Sequence, residues 1–116
     1  MENYAIVRSE HLNHYGFLFG GQTLSWVDEF AWIAASRQFP GKKFVTRAMD
    51  EIEFKTGVQN GSILRFDVKL IHKGASSVKY SVEVYAEPPN SDVEIHVFSN
   101  QITFVCVDDQ GNKCKM

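Results

Sequence analysis

Cysteine is scarce in this sequence, long apolar runs are missing, and neither sign of charge is in large excess. Two cysteines, Cys106 and Cys114, in 116 residues are too few for the disulfide framework on which small secreted domains depend. They are consistent with one bridge. The opening "MENYAIVRSEH" is too polar for the apolar segment of a signal peptide, however, and the pair is read as reduced thiols in a cytoplasmic protein. The longest apolar run, "FAWIAA", is six residues, far below the roughly 20 needed to span a bilayer, so no membrane insertion is expected. Twelve basic against fourteen acidic side chains, a net charge of -2, argue against general affinity for nucleic acid or membrane surfaces. No repeat and no low-complexity tract divides the chain, which is expected to form a single domain over 1–116.

What is present is apolar patterning, with 44% hydrophobic and 13% aromatic residues. Residues 4 to 8, "YAIVR", read as a short strand and "SEHLNHYG" as a loop. A helix is expected from about Gly20 to Gln38, stopped by the "PG" at 40 to 41. Beyond it the chain reads as four consecutive antiparallel strands. In "SILRFDVKLIHK" Leu64, Phe66, Val68 and Leu70 are apolar and alternate with Arg65, Asp67 and Lys69, and in "SVKYSVEVYAE" Val78, Tyr80, Val82, Val84 and Ala86 face one way, the signature of half-buried strands. "KKFVTRAMDEIEFK" slips out of alternation around Met49 and Asp50, which suggests a bulge. "VEIHVFSNQITFVCVD" is the last strand, and the tail "GNKCKM" is expected to be exposed and mobile. One helix beside a meander must bury itself against one sheet face.

At about 100° per residue, Gln22, Ser25, Glu29 and Ser36 share one narrow polar arc of the helix, and apolar residues fill nearly all the rest. Such a helix is expected to be wrapped by protein on most sides. Asp28 falls about a quarter turn outside the polar arc. A carboxylate among apolar groups is costly unless paired, hydrogen-bonded or solvated in a cleft. Periodicity leaves two readings open: an acid half in water or held by a neighbouring strand, and an acid facing a site. Glu29, on the arc, reads as solvated. Gly20 and Gly21 open the helix with free backbone N–H groups at its positive end, a place that binds an anion or polarises a carbonyl; a tight loop-to-helix entry explains them as well. His11 and His14 are three apart, but neither His72, His96 nor the cysteines complete a metal-ligand spacing, so they read as solvated loop histidines.

Together, Asn13, Gly16, Phe19-Gly20-Gly21 and Asp28 in "NHYGFLFGGQTLSWVD" resemble the pattern of the hotdog-fold acyl-CoA thioesterases, of the broad-range bacterial and cytosolic type. "HKGASSVKYSVEVYAE" is similar to that family's Lys-Gly-small-small-Ser strand turn. The resemblance implies an α+β hotdog fold, a curled antiparallel sheet around one long helix, and a homodimer or dimer-based higher oligomer whose subunits join their sheets edge to edge. It implies active sites at the dimer contact, with the asparagine loop and helix start of one chain facing the acid of the other. Asp28 would then be the general base that activates water, or the nucleophile. Asn13 would position water or thioester, and the amides near Gly20 and Gly21 would polarise the carbonyl. Arg47, Lys73 and Lys79 become candidate contacts to the phosphates of coenzyme A, and Gly74 and Ser76 to its pantetheine arm, although each lysine taken singly reads first as a solvated strand residue. No metal and no cofactor is implied, coenzyme A being part of the substrate. The chain departs from the pattern in Asp50 and Glu51, which add acid near the acyl tunnel, and in ending just after its last strand.

An alternative from another class is a non-catalytic acyl-CoA-binding or sensing module. A hydratase of the same fold typically places a histidine shortly after the acid, and "DEFAWIAAS" has none.

Overall fold

The computed structural model describes residues 1–116. Its elements are β1 (Glu2–Ile6), a 3-10 turn (Ser9–His11), α1 (Gly20–Gln38), β2 (Lys43–Phe54), β3 (Ile63–Lys73), β4 (Ser77–Glu87) and β5 (Ile95–Val107). The helix has the bounds expected from the sequence. Its last turn is closed by the Phe39 N–H donating to the Ala35 carbonyl, just before Pro40 and Gly41. β1 begins two residues earlier than expected because it is placed by pairing with β3, from Glu2 opposite Asp67 to Ile6 opposite Ile63. No helix is long and apolar enough to cross a membrane.

All strand pairs are antiparallel, in the order β1-β3-β4-β5-β2. This corrects the expected four-strand meander. β3, β4 and β5 do follow one another, but β2 pairs with β5 and not with β3, so β2 forms one free edge and β1 the other. The slip read around Met49 and Asp50 is a pair of irregularities flanking them, between Thr46 and Ala48 and between Asp50 and Glu53. Further register shifts fall in β3 and at the β4–β5 pairing. Each adds local twist, and the sheet curls towards the helix.

The core lies between helix and sheet. Even positions of β3 and β4, from Leu64 to Val68 and from Val78 to Ala86, are buried with Phe98, Ile102 and Phe104 of β5. Val27, Ala31, Ala34 and Ala35 of α1 are fully buried against them. The alanines let the helix axis approach the sheet closely, while Phe30 sets its ring edge-on to Phe66 at 4.9 Å. The expectation of a helix wrapped on most sides is not met within one chain. Trp32 is 45% exposed, and Gly21 and Ser25 are open to solvent. Leu24, Trp26 and Phe30 pack against the core, so Trp32 is the large apolar side chain of α1 that the protomer leaves exposed.

The C-terminal tail also differs from expectation: it is docked. The Cys114 N–H donates to the Cys106 carbonyl at 3.0 Å and the Met116 N–H to the Ala75 carbonyl at 2.9 Å. Cys114 and Met116 pack against the core, and both thiols are free. Two hydrophobic anchors in a polar hexapeptide suffice to hold it.

Tyr80 on β4 has no exposed surface, and its hydroxyl donates to Gln38 Oε1 at the end of the helix, at 2.5 Å. Burial disfavours the phenolate and pushes the Tyr80 pKa up to about 12 from 10.0. Below the unfolded value both states hold the proton, and stability is unaffected. Between about pH 10 and 12 the unfolded chain ionises while the folded one does not, so stability falls. The thermal midpoint should drop across that interval, and Tyr80→Phe should flatten the drop. An equally steep fall in the variant would assign it to other groups.

Candidate active site

The segment before the helix is shaped by one side chain. Asn13 Oδ1 accepts the N–H of Tyr15 at 2.9 Å and that of Phe17 at 3.1 Å. The Asn13 N–H donates to the Phe17 carbonyl and the Gly16 N–H to the Asn13 carbonyl. Gly16 supplies the left-handed conformation that closes this turn, at φ +87°. Asn13 is thus first a turn-forming residue: its oxygen is engaged within the loop, and its Nδ2 is the group left to donate outward.

The loop delivers Phe19 as N-cap of α1 with no side chain closing the helix end. The Gly20 and Gly21 N–H groups, in the first turn, have no acceptor within the helix. Both glycines also leave room for an exposed aromatic ring, which would have to shift if a side chain were added. A Cβ on Gly20 would lie 3.2 Å from the Phe54 ring, and one on Gly21 2.8 Å from the Phe19 ring. Asn13, Gly20, Tyr15, Phe17, Leu18 and Phe54 line an open groove of about 780 Å³, the largest depression on the protomer, within the range of small-molecule sites.

Asp28 does not line that groove. Eight residues into the helix from Gly20, it stands about 12 Å along the axis. It is half-buried, and its Oδ1 accepts the Thr46 hydroxyl at 2.6 Å. Thr46 belongs to β2, the edge strand. One turn on, Trp32 Nε1 donates to the Phe44 carbonyl at 3.2 Å, so this flank of the helix runs along β2. The misplaced carboxylate is neither in an ion pair nor capped by strand amides; a strand hydroxyl holds it at the margin between helix and free edge. Thr46 was not singled out in the sequence, where a threonine in a strand carries no signal.

The remaining candidates are spread over the molecule. Gly74 and Ser76 form the β3–β4 turn, where the Gly74 N–H donates to Ser77 and the Ser76 carbonyl accepts from Cys106. Lys73 extends over the Phe39 ring at 5.3 Å. This turn is at the C-terminal end of the helix, the opposite end of the sheet from Gly20, because Ser77 pairs with Val105 while Val84 pairs with Phe98 beneath the helix start. Lys79 is 3.9 Å from Asp50, so the added acid meets one of the candidate cations. Arg47 is exposed, at the irregularity between Thr46 and Ala48. Of the nine sequence candidates, one protomer brings together Asn13, Gly20 and Gly21 and leaves the other six elsewhere. His11 is occupied locally, its Nδ1 accepting the Arg8 N–H, and His14 lies against Tyr15.

Comparison with known proteins gives these arrangements a context. The model of the thioesterase superfamily matches residues 15–93. An uncharacterized acyl-CoA thioester hydrolase of Zymomonas mobilis is 30% identical over 111 residues, 96% of this chain and 74% of that protein. The acetyl-coenzyme A thioesterase of Rattus norvegicus is 30% identical over 113 residues, 95% of this chain but 20% of that protein, so the chain spans a fifth of that relative's length. Among solved structures, a hexameric hotdog fold thioesterase of Campylobacter jejuni superposes with a TM-score of 0.88 at 32% identity, covering 98% of this chain and 87% of that one. With the helix-on-curled-sheet architecture already described, these matches show that the chain belongs to the thioesterase superfamily and has the hotdog fold.

Proposed function

We propose that the chain hydrolyses the thioester of an acyl-CoA to the free carboxylic acid and coenzyme A, as a single domain over residues 1–116 acting in dimers. The observation that carries this reading is the separation of the catalytic groups: an uncapped helix start beside Asn13 in one groove, and Asp28 about 12 Å away at the margin of an unpaired edge strand. That edge exposes the apolar side chains of Val45, Ile52 and Phe54 among the charged ones of Arg47, Asp50, Glu51 and Glu53. A twelve-residue strand with one side unpaired presents a row of free N–H and C=O groups to which another chain can pair. Antiparallel pairing of two β2 edges about a two-fold axis sets the Lys43 end of each against the Phe54 end of the other, and so brings each Asp28 towards the partner's helix start. The two halves of the site then come from two copies.

The chemistry asks little of such a site. The Gly20 and Gly21 amides draw electron density onto the thioester oxygen, supported by the positive end of α1. Asp28 takes a proton from water as its oxygen attacks the carbonyl carbon. Collapse of the tetrahedral intermediate breaks the C–S bond, and the thiolate leaves with little acid assistance because a thiol pKa is about 8.5. The proton held by Asp28 ends on the sulfur or in solvent. Direct attack by Asp28 through an anhydride gives the same products. The Asn13 Nδ2 donates to the water or the ester oxygen. Lys73, Gly74, Ser76, Arg47 and, when released from Asp50, Lys79 are assigned to the coenzyme A portion.

The test is thiol release from a panel of short, long and aromatic acyl-CoA esters. Turnover of at least one class supports the assignment. Tight binding of CoA esters with no turnover of any would replace it with a sensing module.

A further inference from the structure

Along β5 the residues Phe98, Asn100, Ile102 and Phe104 are all buried, and among them Asn100 alone is polar. It is 3% exposed, and neither its Oδ1 nor its Nδ2 has a hydrogen-bond partner. An amide buried with both ends unpaired is rare in native proteins, because nothing replaces the hydrogen bonds it gave up to water. The neighbouring strand is irregular at the same rung. β2 sets Asp50 opposite Gln101 and Glu53 opposite Ser99, so Asn100 faces two residues, Glu51 and Ile52, and Glu51 is held at φ +54°. A bulky residue in the left-handed region is strained. Two departures from low-energy structure at one rung mark a position set by something other than stability.

The position is informative. The preceding rung, where Phe98 is paired with Val84, forms part of the wall of a small enclosed cavity of about 30 Å³ that Leu18, Thr23 and Phe54 also line. Leu18 and Phe54 are walls of the groove that holds Asn13 and Gly20 as well. The groove and the small cavity therefore adjoin, with Leu18 and Phe54 as the wall between the helix start and the space beside Thr23 and Phe98. Asn100 lies two residues, about 7 Å, beyond Phe98 on the same face of β5, behind the wall of the resting cavity.

Resting on the thioesterase reading, we propose that Asn100 is the polar end of the acyl pocket and selects a short acyl group whose hydrocarbon chain carries a hydroxyl or keto oxygen. Nδ2 donates to that oxygen, and Oδ1 accepts from a hydroxyl. A hydroxyl or keto oxygen supplies the partners that the amide lacks in the free protein, whereas an unsubstituted chain supplies none, so only the oxygenated ester gains those hydrogen bonds. The resting cavity has room for about two waters, so Phe54, which is 53% exposed, must turn aside as the chain enters.

The experiment compares kcat/KM, by thiol release, for butyryl-CoA and hexanoyl-CoA with their hydroxy and keto counterparts, in the wild type and in Asn100→Leu. The wild type should favour the oxygenated esters by at least about tenfold. Asn100→Leu, close in size and apolar, should reverse the order by raising the rate on the plain esters, with a thermal midpoint equal to or above the wild type. A wild type that turns over plain and oxygenated esters alike overturns the proposal without any variant, and so does a ratio that Asn100→Leu leaves unchanged. Absence of turnover on all of these short esters overturns the inference alone; the thioesterase reading falls with it only if the long and aromatic esters are also left intact.

Discussion

Replacing Asp28 by Asn should lower kcat/KM for acyl-CoA hydrolysis by about 10²- to 10⁴-fold, the usual contribution of a positioned general base, without unfolding the chain or weakening CoA-ester binding. The structure separates these effects. Asp28 has no cationic partner, and its one side-chain hydrogen bond is the Thr46 hydroxyl donating to Oδ1 at 2.6 Å. An asparagine Oδ1 accepts that same hydrogen bond, and the side chain stays half-buried at the β2 margin. The substitution thus removes proton affinity and little else. Circular dichroism and a thermal midpoint near the wild type, with thiol release close to background, is the expected pair of results. Thiol release at the wild-type rate would take Asp28 out of the mechanism and return it to the bland reading, a helix acid held by a strand hydroxyl.

The parts of this molecule that could be read from its sequence are those fixed by local chemistry. α1 is bounded by the glycine pair and by Pro40-Gly41, and both ends fall where the sequence places them. β3 and β4 announce themselves through alternation because each has one face on the core. The place of β2 was not legible, since strand order depends on pairing between residues such as Lys43 and Val107, a separation at which local pattern says nothing. β1 was misplaced by two residues because its alternation is weak and its position is set by β3.

The site divides in the same way. Asn13, Gly16 and the glycine pair form a local motif and are adjacent in space, whereas Thr46 reaches Asp28 only through the packing of helix against edge strand. Asn100 left a usable signal: it occupies an inward phase of β5 between Phe98 and Ile102, where alternation calls for an apolar side chain. The mobile tail was misjudged from its composition, because two anchoring side chains outweigh four polar ones.

The division of the site between two copies has a quantitative consequence. Asp28→Asn keeps the glycine amides and loses the base. Gly21→Val keeps the base and obstructs the amides; its new side chain meets chiefly the Phe19 ring, which is 58% exposed and free to move. Each variant alone should be nearly inactive. When the two are co-expressed with different tags at equal levels, random pairing makes about half of the dimers mixed. In a mixed dimer one site combines the intact amides of one chain with the intact acid of the other, and the second site combines both defects. The preparation should therefore regain about a quarter of the wild-type activity per chain, and mixed dimers isolated through both tags about half. Assembly into trimers of dimers leaves these fractions unchanged, because every pair still forms at random. If amides and acid instead served one site within a single chain, no combination of the two variants would contain an intact set, and activity would stay at the sum of the singles. The assay thus decides between a shared and a private site with no assumption about acyl preference, provided the wild type turns over the ester used.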